Sequence, residues 1–227
     1  MHNKLIQYPA ASAKDMHEAC HQQMVVFVVD RDEAARASVA TLVDRNGWRT
    51  ECYSTAQGFL ERTAHAGPNC VVLDVDLPDA AGLALQQRIA AERSATPVIA
   101  VAGKADVRSA VQAMKAGAVD FLTKPVFGPS LLHAIDQALA WSRAAIDHAR
   151  SVHAIQARHD TLSPREQEVV SLVVRGLLNK QVGAELGISE ITVKAHRGSA
   201  MRKMGARSLP ELVNMVGRLQ EPAPAAA

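Results

Sequence analysis

The sequence predicts an α/β protein, a doubly wound sheet of five parallel strands that a long helix joins to a small all-α domain of four helices. Three observations lead to this prediction. Short apolar runs alternate with helical patterns five times between Met24 and Phe127. A stretch from Ser130 to about Arg158 contains neither Gly nor Pro. Short segments with helix-capping residues then follow Thr161.

The strands of the sheet are predicted from apolar, largely β-branched runs. In chain order these runs are Met24–Val29, Trp48–Tyr53, Cys70–Leu73, Val98–Ala102 and Val119–Thr123. The helices between them show apolar spacings of three and four residues. They are Asp32–Asn46, Thr55–Ala64, Gly82–Arg93 and Asp106–Ala116. Neither G-x-G-x-x-G nor G-x-x-x-x-G-K-[ST] follows any strand, which argues against a dinucleotide site or a P-loop.

The long helix keeps a spacing of three and four residues through Leu132, Ile135, Leu139, Ser142, Ile146 and Ala149. We expect its first half to pack on the sheet. Its second half carries many charges and has two interpretations, a coiled-coil seam between two chains or a single solvated connector. The sequence leaves both open.

The C-terminal helices are predicted from their capping residues. The expected N-caps are a capping box at Ser163 and Glu166, then Asn179, Ser189, and a second box at Ser208 and Glu211. Glycines are expected to end the first three of these helices, at Gly176, Gly187 and Gly205.

The chain is therefore predicted to have five segments. They are a flexible extension (1–23), a sheet domain (24–141), a helical linker (142–160), a helical domain (161–220) and a disordered tail (221–227). No apolar run is long enough to span a bilayer, and residues 1–23 lack the apolar centre of a signal peptide. We therefore expect a cytoplasmic protein with no membrane partner. The three cysteines are scattered, which favours neither a disulfide framework nor a zinc site.

The net charge of +2 is unevenly distributed. Between Met24 and Phe127 there are 11 Lys/Arg against 12 Asp/Glu, a balance of −1. From Thr161 to Gln220 there are 9 Lys/Arg against 5 Asp/Glu, a balance of +4. The basic excess therefore lies in the C-terminal domain, where a polyanion would bind, although the signal is weak by itself.

Carboxylates follow the run Cys70–Leu73 at once. Asp74 closes this run, Asp76 and Asp79 come next, and Pro78 fixes the backbone of the loop. Ligands of open parallel sheets bind beyond the carboxyl ends of the strands, so the stretch indicates a phosphoryl or metal site. The same residues are typical of a strand cap and turn acids, and the stretch alone favours that interpretation.

The C-terminal domain gives the stronger signal. Two short capped helices separated by L-G-I-S-E match a helix-turn-helix, whose second helix enters the major groove of DNA. That helix carries the basic residues Lys194, His196, Arg197, Arg202 and Lys203. Lys and Arg suit phosphates and guanine edges. The alternative is a four-helix bundle with a solvated basic face.

Residues 162–204 resemble a LuxR-type helix-turn-helix. The marks are Glu166, the turn G-L-x-N-K at Gly176–Lys180, and T-V-K-x-H-R at Thr192–Arg197. The resemblance implies promoter DNA binding as a dimer. The side chains expected at the DNA are Thr192, Lys194, His196, Arg197, Arg202, Lys203 and Lys180. Gly198 departs from the pattern, because it weakens the helix by about 1 kcal/mol relative to Ala and removes a side chain where relatives read a base.

The sheet domain is similar to the receiver domain of two-component response regulators, and its pairing with this DNA-binding domain is that of the FixJ-like group. The resemblance rests on V-V-D-R-D-E-A-A-R, L-D-V-D-L-P-D-A-A-G and M-K-A-G-A-V-D-F-L-T-K-P. It implies that a histidine kinase phosphorylates Asp74 and that Lys124 pairs with the phosphate. Pro125 would follow a cis peptide, and Phe121 would be the aromatic that turns inward on activation. Mg²⁺ would be held by Asp30, Asp74 and the backbone carbonyl of Asp76.

Two positions depart from the receiver pattern. Arg31 stands where the family has a second acid, and Ala102 stands where a Ser or Thr contacts the phosphoryl group. Replacing an acid by Arg adds two positive units beside the cation, each unfavourable by about 3 kcal/mol at about 5 Å and an effective dielectric of about 20. We expect Asp32 to cap the next helix rather than to bind the ion. Arg31 could instead reach Asp74.

The leading interpretation is a DNA-binding transcription regulator, not an enzyme, in which Mg²⁺ binding is impaired and phosphorylation control is weak or lost. Dimerisation, a partner or a ligand would then switch it, or it would always be active. The first alternative is a conventional regulator phosphorylated on Asp74. A second is a small Mg²⁺-dependent phosphatase or phosphotransferase, which Arg31 argues against. A third is a protein-interaction module whose basic helix is incidental.

Overall fold

The computed structural model describes residues 24–78, 81–92, 95–103 and 107–220. The predicted flexible extension (1–23) and disordered tail (221–227) lie outside these ranges. The chain divides into two compact units between Ile146 and Asp147, which is inside the predicted linker 142–160. Each unit is described by itself below.

The first unit is built on a five-stranded parallel sheet in the order β2-β1-β3-β4-β5. The strands are β1 (Val25–Val29), β2 (Arg49–Tyr53), β3 (Asn69–Asp74), β4 (Val98–Ala102) and β5 (Ala118–Thr123). The flanking helices are α1 (Glu33–Arg45), α2 (Ala56–Glu61), α3 (Ala81–Glu92), α4 (Val107–Lys115) and the first part of α5 (Gly128–His159). The strand order reverses between β1 and β3, which makes their carboxyl ends the expected ligand site of such a sheet. The predicted fold class is confirmed.

Both faces of the sheet are covered. In β1, Val26 and Val28 face one core together with Leu131 and Ile135 of α5, while Phe27 lies in the other core. Neighbouring strand residues point to opposite faces, so a strand covered on both sides must be apolar throughout. This is why the central strands appear in the sequence as unbroken apolar runs.

Helix α2 is shorter than the sequence predicts, since it ends at Glu61 instead of Ala64. The next residue, Arg62, has an extended backbone conformation. Its guanidinium carbon lies 3.8 Å from the ring centre of Phe27 and 4.4 Å from that of Phe59. Stacking a cation on these rings is favourable, and it accompanies the end of the helix at this point.

Helix α5 is unbroken from Gly128 to His159. Near its middle, Ser142 is fully buried in the first unit, where its hydroxyl accepts a hydrogen bond from Asn69 N (3.0 Å) and donates one to Ala95 O (2.6 Å). Near its end, Ile155 is buried in the core of the second unit. The second half of α5 is therefore not wholly solvated.

The second unit contains the end of α5 and helices α6 (Pro164–Val174), α7 (Asn179–Leu186), α8 (Glu190–Met204) and α9 (Leu209–Gln220). The capping box of Ser163 with Glu166 and the Ser189 cap are confirmed. The prediction that Asn179 caps α7 is wrong. The N-cap is Leu178, whose side chain makes no capping hydrogen bond, and Asn179 is the first helical residue. The backbone N–H of Leu178 donates to Gln181 Oε1.

The predicted box before α9 forms only in part. Ser208 Oγ accepts a hydrogen bond from Glu211 N at 3.3 Å. The Glu211 carboxylate bonds to Arg207 N at 2.8 Å, one residue before the predicted partner. Within the described residues, none of the helices combines the length and apolar character needed to cross a membrane.

A buried acid holds the second unit together. Glu166 Oε2 accepts a hydrogen bond from Ser163 N at 2.7 Å and from Lys203 Nζ at 2.6 Å, which ties the start of α6 to the end of α8. The Lys203 hydrogen bond, followed by those of Ser163 and Ser199, lowers the pKa of Glu166 from 4.5 to about 2. The carboxylate therefore stays ionised at any ordinary pH.

We expect the substitution Ser142→Ala to destabilise the first unit by about 1–3 kcal/mol, because it leaves the buried Asn69 N–H and Ala95 carbonyl without their partner. The free energy of unfolding is measured by urea titration and tryptophan fluorescence. Both tryptophans, Trp48 and Trp141, lie in the first unit, so the signal reports on this unit alone.

The matched control for that substitution is Ser130→Ala. Ser130 is exposed on the same helix, and its removal should change stability by less than about 0.5 kcal/mol. Equal effects of the two substitutions would show that the Ser142 hydrogen bonds contribute nothing.

We expect the stabilising effect of Glu166 to disappear in acid. Since its pKa is lowered, the carboxylate stabilises the folded state fully above about pH 4.5, and this contribution is lost as the pH falls toward about 2. The difference in unfolding free energy between wild type and Glu166→Gln should therefore shrink over this range. It is measured by circular dichroism at 222 nm, with tryptophan fluorescence marking the first unit.

The control for this pH dependence is Glu168→Gln. Glu168 is exposed and pairs with the partly exposed Arg165, and such surface pairs contribute little. A wild-type minus Glu166→Gln difference that stays constant between pH 5 and pH 2 would contradict the role given to the buried pair.

Candidate functional site

The acidic pocket of the first unit lies at the carboxyl ends of three strands. Asp30 follows β1, Asp74 ends β3, and Lys124 follows β5. The Lys124 ammonium lies 2.6 Å from Asp30 Oδ2 and 2.9 Å from Asp74 Oδ2. Both carboxylates are buried, whereas the Lys124 side chain is partly exposed. Three residues that are far apart in the sequence thus form one ionic cluster.

Backbone donors fix the other oxygens of this cluster. Asp30 Oδ1 accepts a hydrogen bond from Asp32 N at 2.8 Å, and Asp74 Oδ1 accepts one from Asp76 N at 2.9 Å. Arg36 donates to the backbone carbonyl of Asp30 at 2.7 Å. The carboxylates are therefore held in place by the two loops that carry them.

Burial alone would lower the pKa of Lys124. The hydrogen bonds to Asp30 and Asp74 and the charges of these carboxylates outweigh the burial, and the pKa is raised above its usual value of 10.5. The cluster therefore holds a permanent positive charge between its two negative ones. The Lys124–Pro125 peptide bond is cis, as the resemblance implied.

Three further predicted residues lie in or after the neighbouring strands. Ala102 is the fully buried last residue of β4, and it presents a methyl group where a hydroxyl was expected. Asp76 lies in the turn after β3, and its carboxylate accepts a hydrogen bond from Gly103 N at 2.7 Å. Phe121 is half-buried in β5 and packs against a buried cluster of Ala100, Ala113 and Ala118.

Arg31 does not take part in this cluster. It is exposed and forms no hydrogen bond or ion pair with any residue that the structure describes. The expectation that Arg31 could reach Asp74 is not met, because Lys124 occupies that place. The Asp32 carboxylate accepts a hydrogen bond from Ala34 N at 2.9 Å and caps α1, as predicted.

The donors present fit a Mg²⁺ ion only in part. Asp30 and Asp74 supply two carboxylates, and Mg²⁺ prefers carboxylate and phosphate oxygens. In the described part of the chain, no group of three or more Asp, Glu, His or Cys residues is arranged to hold a metal. A cavity of about 480 Å³ opens on the cluster, and its wall combines the three ionic side chains with apolar ones such as Val39, Leu42 and Leu131.

The helix-turn-helix of the second unit consists of α7, a tight turn and α8. Gly187 ends α7 in the left-handed conformation (φ 66°). Gly183 packs under the turn, where an added Cβ would lie 2.7 Å from Ile188 O, so only glycine fits. Arg165 of α6 donates to Leu186 O at 2.8 Å and satisfies the carboxyl end of α7. The turn geometry is thus fixed by packing.

The seven residues predicted to meet DNA fall into two groups. The first group is exposed, and in the described structure its side chains form no bond to a buried group; it consists of Lys180, Lys194 and Arg202. Of these, Lys194 forms an exposed pair with Glu190 at 3.1 Å. Such a pair is weak and leaves the lysine available to another anion.

The other four residues have contacts within the protein or are half-buried. The Thr192 hydroxyl lies 2.8 Å from Ser189 Oγ at the helix cap. Arg197 donates to Asn179 Oδ1 at 3.1 Å and joins α8 to α7. Lys203 is the partner of Glu166, and His196 is half-buried.

Sequence reasoning missed two exposed apolar residues of α8 and one basic contact. Ile191 and Ala195 are exposed on this helix. Arg158, at the end of α5, donates to Met204 O at 3.2 Å and so contacts the carboxyl end of α8. Helical spacing alone could have placed Ile191 on the outward face, whereas the Arg158 contact depends on packing.

Known protein families match both units. Residues 26–136 match the response regulator receiver domain, and residues 160–216 match the LuxR family of bacterial regulatory proteins. The response regulator protein TmoT of Ectopseudomonas mendocina is 39% identical over 200 residues, which cover 88% of this chain and 91% of TmoT. The transcriptional regulatory protein FixJ of Rhizobium meliloti is 39% identical over 193 residues, which cover 84% of this chain and 93% of FixJ.

A solved structure agrees with these matches. The structure of the response regulator StyR superposes with a TM-score of 0.73 at 38% identity and covers 86% of this chain and 98% of StyR. TmoT is a response regulator and FixJ a transcriptional regulatory protein, which favours a transcription regulator over the phosphatase alternative. The chain therefore belongs to the two-component response regulators of the FixJ-like group, which join a receiver domain to a LuxR-type DNA-binding domain.

Proposed function

We propose that this response regulator binds promoter DNA as a homodimer in the cytoplasm, and that phosphorylation of Asp74 controls it weakly or not at all. The composition of the acidic pocket is the observation that supports weak or absent control by phosphorylation. Lys124 bridges the only two carboxylates of the cluster in the described residues, Arg31 follows Asp30 directly, and Ala102 contributes a methyl group.

The charges near Asp74 support this proposal. Receiver domains in general use Mg²⁺ at the phosphorylation site. Asp30 and Asp74 carry two negative charges, and Lys124 already neutralises one of them. Position 31 carries a positive side chain instead of a second carboxylate, so the pocket lacks the additional negative charge that would attract the cation.

The residue at the end of β4 gives independent support for weak control by phosphorylation. A phosphoryl group on Asp74 would present oxygens that need donors. The Ala102 methyl group is buried and cannot donate a hydrogen bond. A phosphorylated Asp74 would therefore lack one contact that couples the modification to β4.

A conventional regulator, phosphorylated by a partner histidine kinase, is the second candidate. It is favoured by the buried Asp74 and by its 2.9 Å contact with Lys124. If phosphorylation control is lost, the switch would be dimerisation, a partner or a small ligand, and the cavity at Asp74 offers space for such a ligand.

We expect acetyl phosphate with Mg²⁺ to label the wild-type protein poorly, because the cation binds weakly. The double variant Arg31→Asp with Ala102→Thr should restore Mg²⁺-dependent labelling, since it supplies the missing acid and hydroxyl. Intact-protein mass spectrometry measures the labelled fraction.

The control for this experiment is the same double variant carrying Asp74→Asn, which should not be labelled. Stoichiometric labelling of the wild type on Asp74 would contradict the proposal and favour the conventional regulator. A double variant that behaves like the wild type would show that the two departures are not the cause.

We expect the exposed cations of the DNA-binding domain to act through phosphates. Lys180→Ala, Lys194→Ala or Arg202→Ala should each weaken binding to any duplex and reduce the slope of log affinity against log salt by about 1. Fluorescence anisotropy with labelled DNA at several salt concentrations measures this slope.

Lys203→Ala is the contrasting variant. It should destabilise the domain by removing the partner of buried Glu166, as seen in thermal unfolding. An unchanged salt slope in the first three variants, or no binding of duplex DNA at low salt by any assembly state, would refute the DNA-binding proposal.

A further inference from the structure

The outward face of α8 is less polar than a list of its basic residues indicates. Spacings of four, three and four residues bring positions 191, 195, 198 and 202 onto one face of the helix. All four residues are exposed, and they are Ile191, Ala195, Gly198 and Arg202. The opposite face is buried in the domain through Val193, Ala200 and Met204.

Ile191 is the most unusual residue on this face. Its side chain is 79% exposed, although isoleucine is among the residues most often buried. It is the second residue of α8, and the N-terminal residues of a recognition helix are those that contact base edges in the major groove. A large apolar side chain therefore stands where bases are read.

Gly198 lies two turns further along the same face. An added Cβ would meet nothing within 4 Å, so packing inside the protein does not require glycine here. Glycine in a helix interior weakens the helix by about 1 kcal/mol relative to alanine. A glycine that the fold does not need is suited to a close approach of the helix backbone to a ligand.

The major groove offers one apolar group to such a surface. Each base pair presents hydrogen-bond donors and acceptors there, and only thymine adds a methyl group. Neither Ile191 nor Ala195 has a side-chain donor or acceptor. Charged residues lie next to Ile191 and Ala195. They are Lys194 with its partner Glu190, and Arg202.

We propose that this regulator recognises operators through a thymine methyl group that contacts Ile191, with Ala195 and Gly198 allowing the helix to lie close to the bases. This inference rests on the proposed DNA-binding function and specifies its substrate. Each half-site then carries a thymine opposite the first turn of α8, and the flanking cations bind the phosphates.

The test begins with a duplex that the full-length protein selects from a random pool. Each thymine of that duplex is replaced in turn by deoxyuridine, which removes only the methyl group. One replacement in each half-site should weaken binding about fourfold, the equivalent of about 0.8 kcal/mol for one buried methyl group. Fluorescence anisotropy measures the affinity.

The variant Ile191→Ala completes a double-mutant cycle. It should weaken binding to the thymine duplex, and the same deoxyuridine replacement should then have no further effect. The matched control is Leu178→Ala, which removes another exposed apolar side chain (71% exposed) outside α8 and should retain the full deoxyuridine effect.

The outcomes separate this inference from the function on which it rests. Salt-dependent binding that no deoxyuridine replacement weakens would overturn the thymine contact and leave DNA binding intact. A loss of transcription in Ile191→Ala with unchanged DNA affinity would also overturn it, since Ile191 would then contact a protein. The deoxyuridine effect in wild-type protein does not depend on the folding of any variant, so it decides the matter even if Ile191→Ala is unstable.

Discussion

The receiver pocket depends on the two ion pairs that Lys124 forms with Asp30 and Asp74. Lys124 joins the carboxyl ends of β1, β3 and β5, and the two carboxylates would repel each other without it. The strand order brings these ends together, since β1 and β3 are neighbours at the centre of the sheet. The charge that gives the pocket its chemistry therefore also stabilises the fold around it.

The second unit also pairs a lysine with a buried carboxylate, in this case a single one. Glu166 bonds to its own helix cap and to Lys203, so a basic residue of α8 serves the fold rather than a ligand. Arg197 is likewise held by Asn179 of α7. A count of basic residues along α8 therefore overstates the charge available to DNA. The exposed cations Lys194 and Arg202 are the ones that packing leaves unused.

The fold class and most elements could be predicted because strand and helix periodicities are local properties of the sequence. Asp30, Asp74 and Lys124 could be brought together only through the family resemblance, since their contacts span up to 94 residues. The Asn179 cap was wrong because the helix begins one residue earlier than predicted, with Leu178 as N-cap and its backbone N–H donating to Gln181 Oε1. The shorter α2 and the Arg158 contact with Met204 depend on tertiary packing, which no local pattern encodes.

Two of the three departures from the family pattern, Arg31 and Gly198, lie at positions that the fold leaves unconstrained, whereas the third, Ala102, is buried in β4. Arg31 is exposed and unpaired within the described structure, and Gly198 has open space around it. By contrast, Gly183 lies at a position that the fold does constrain. A Cβ there would meet the backbone oxygen of Ile188 in the turn of the helix-turn-helix, so glycine is required. Substitutions at unconstrained positions change charge or shape at a surface with little effect on stability. Both functional surfaces could therefore change their chemistry while the two units kept their folds.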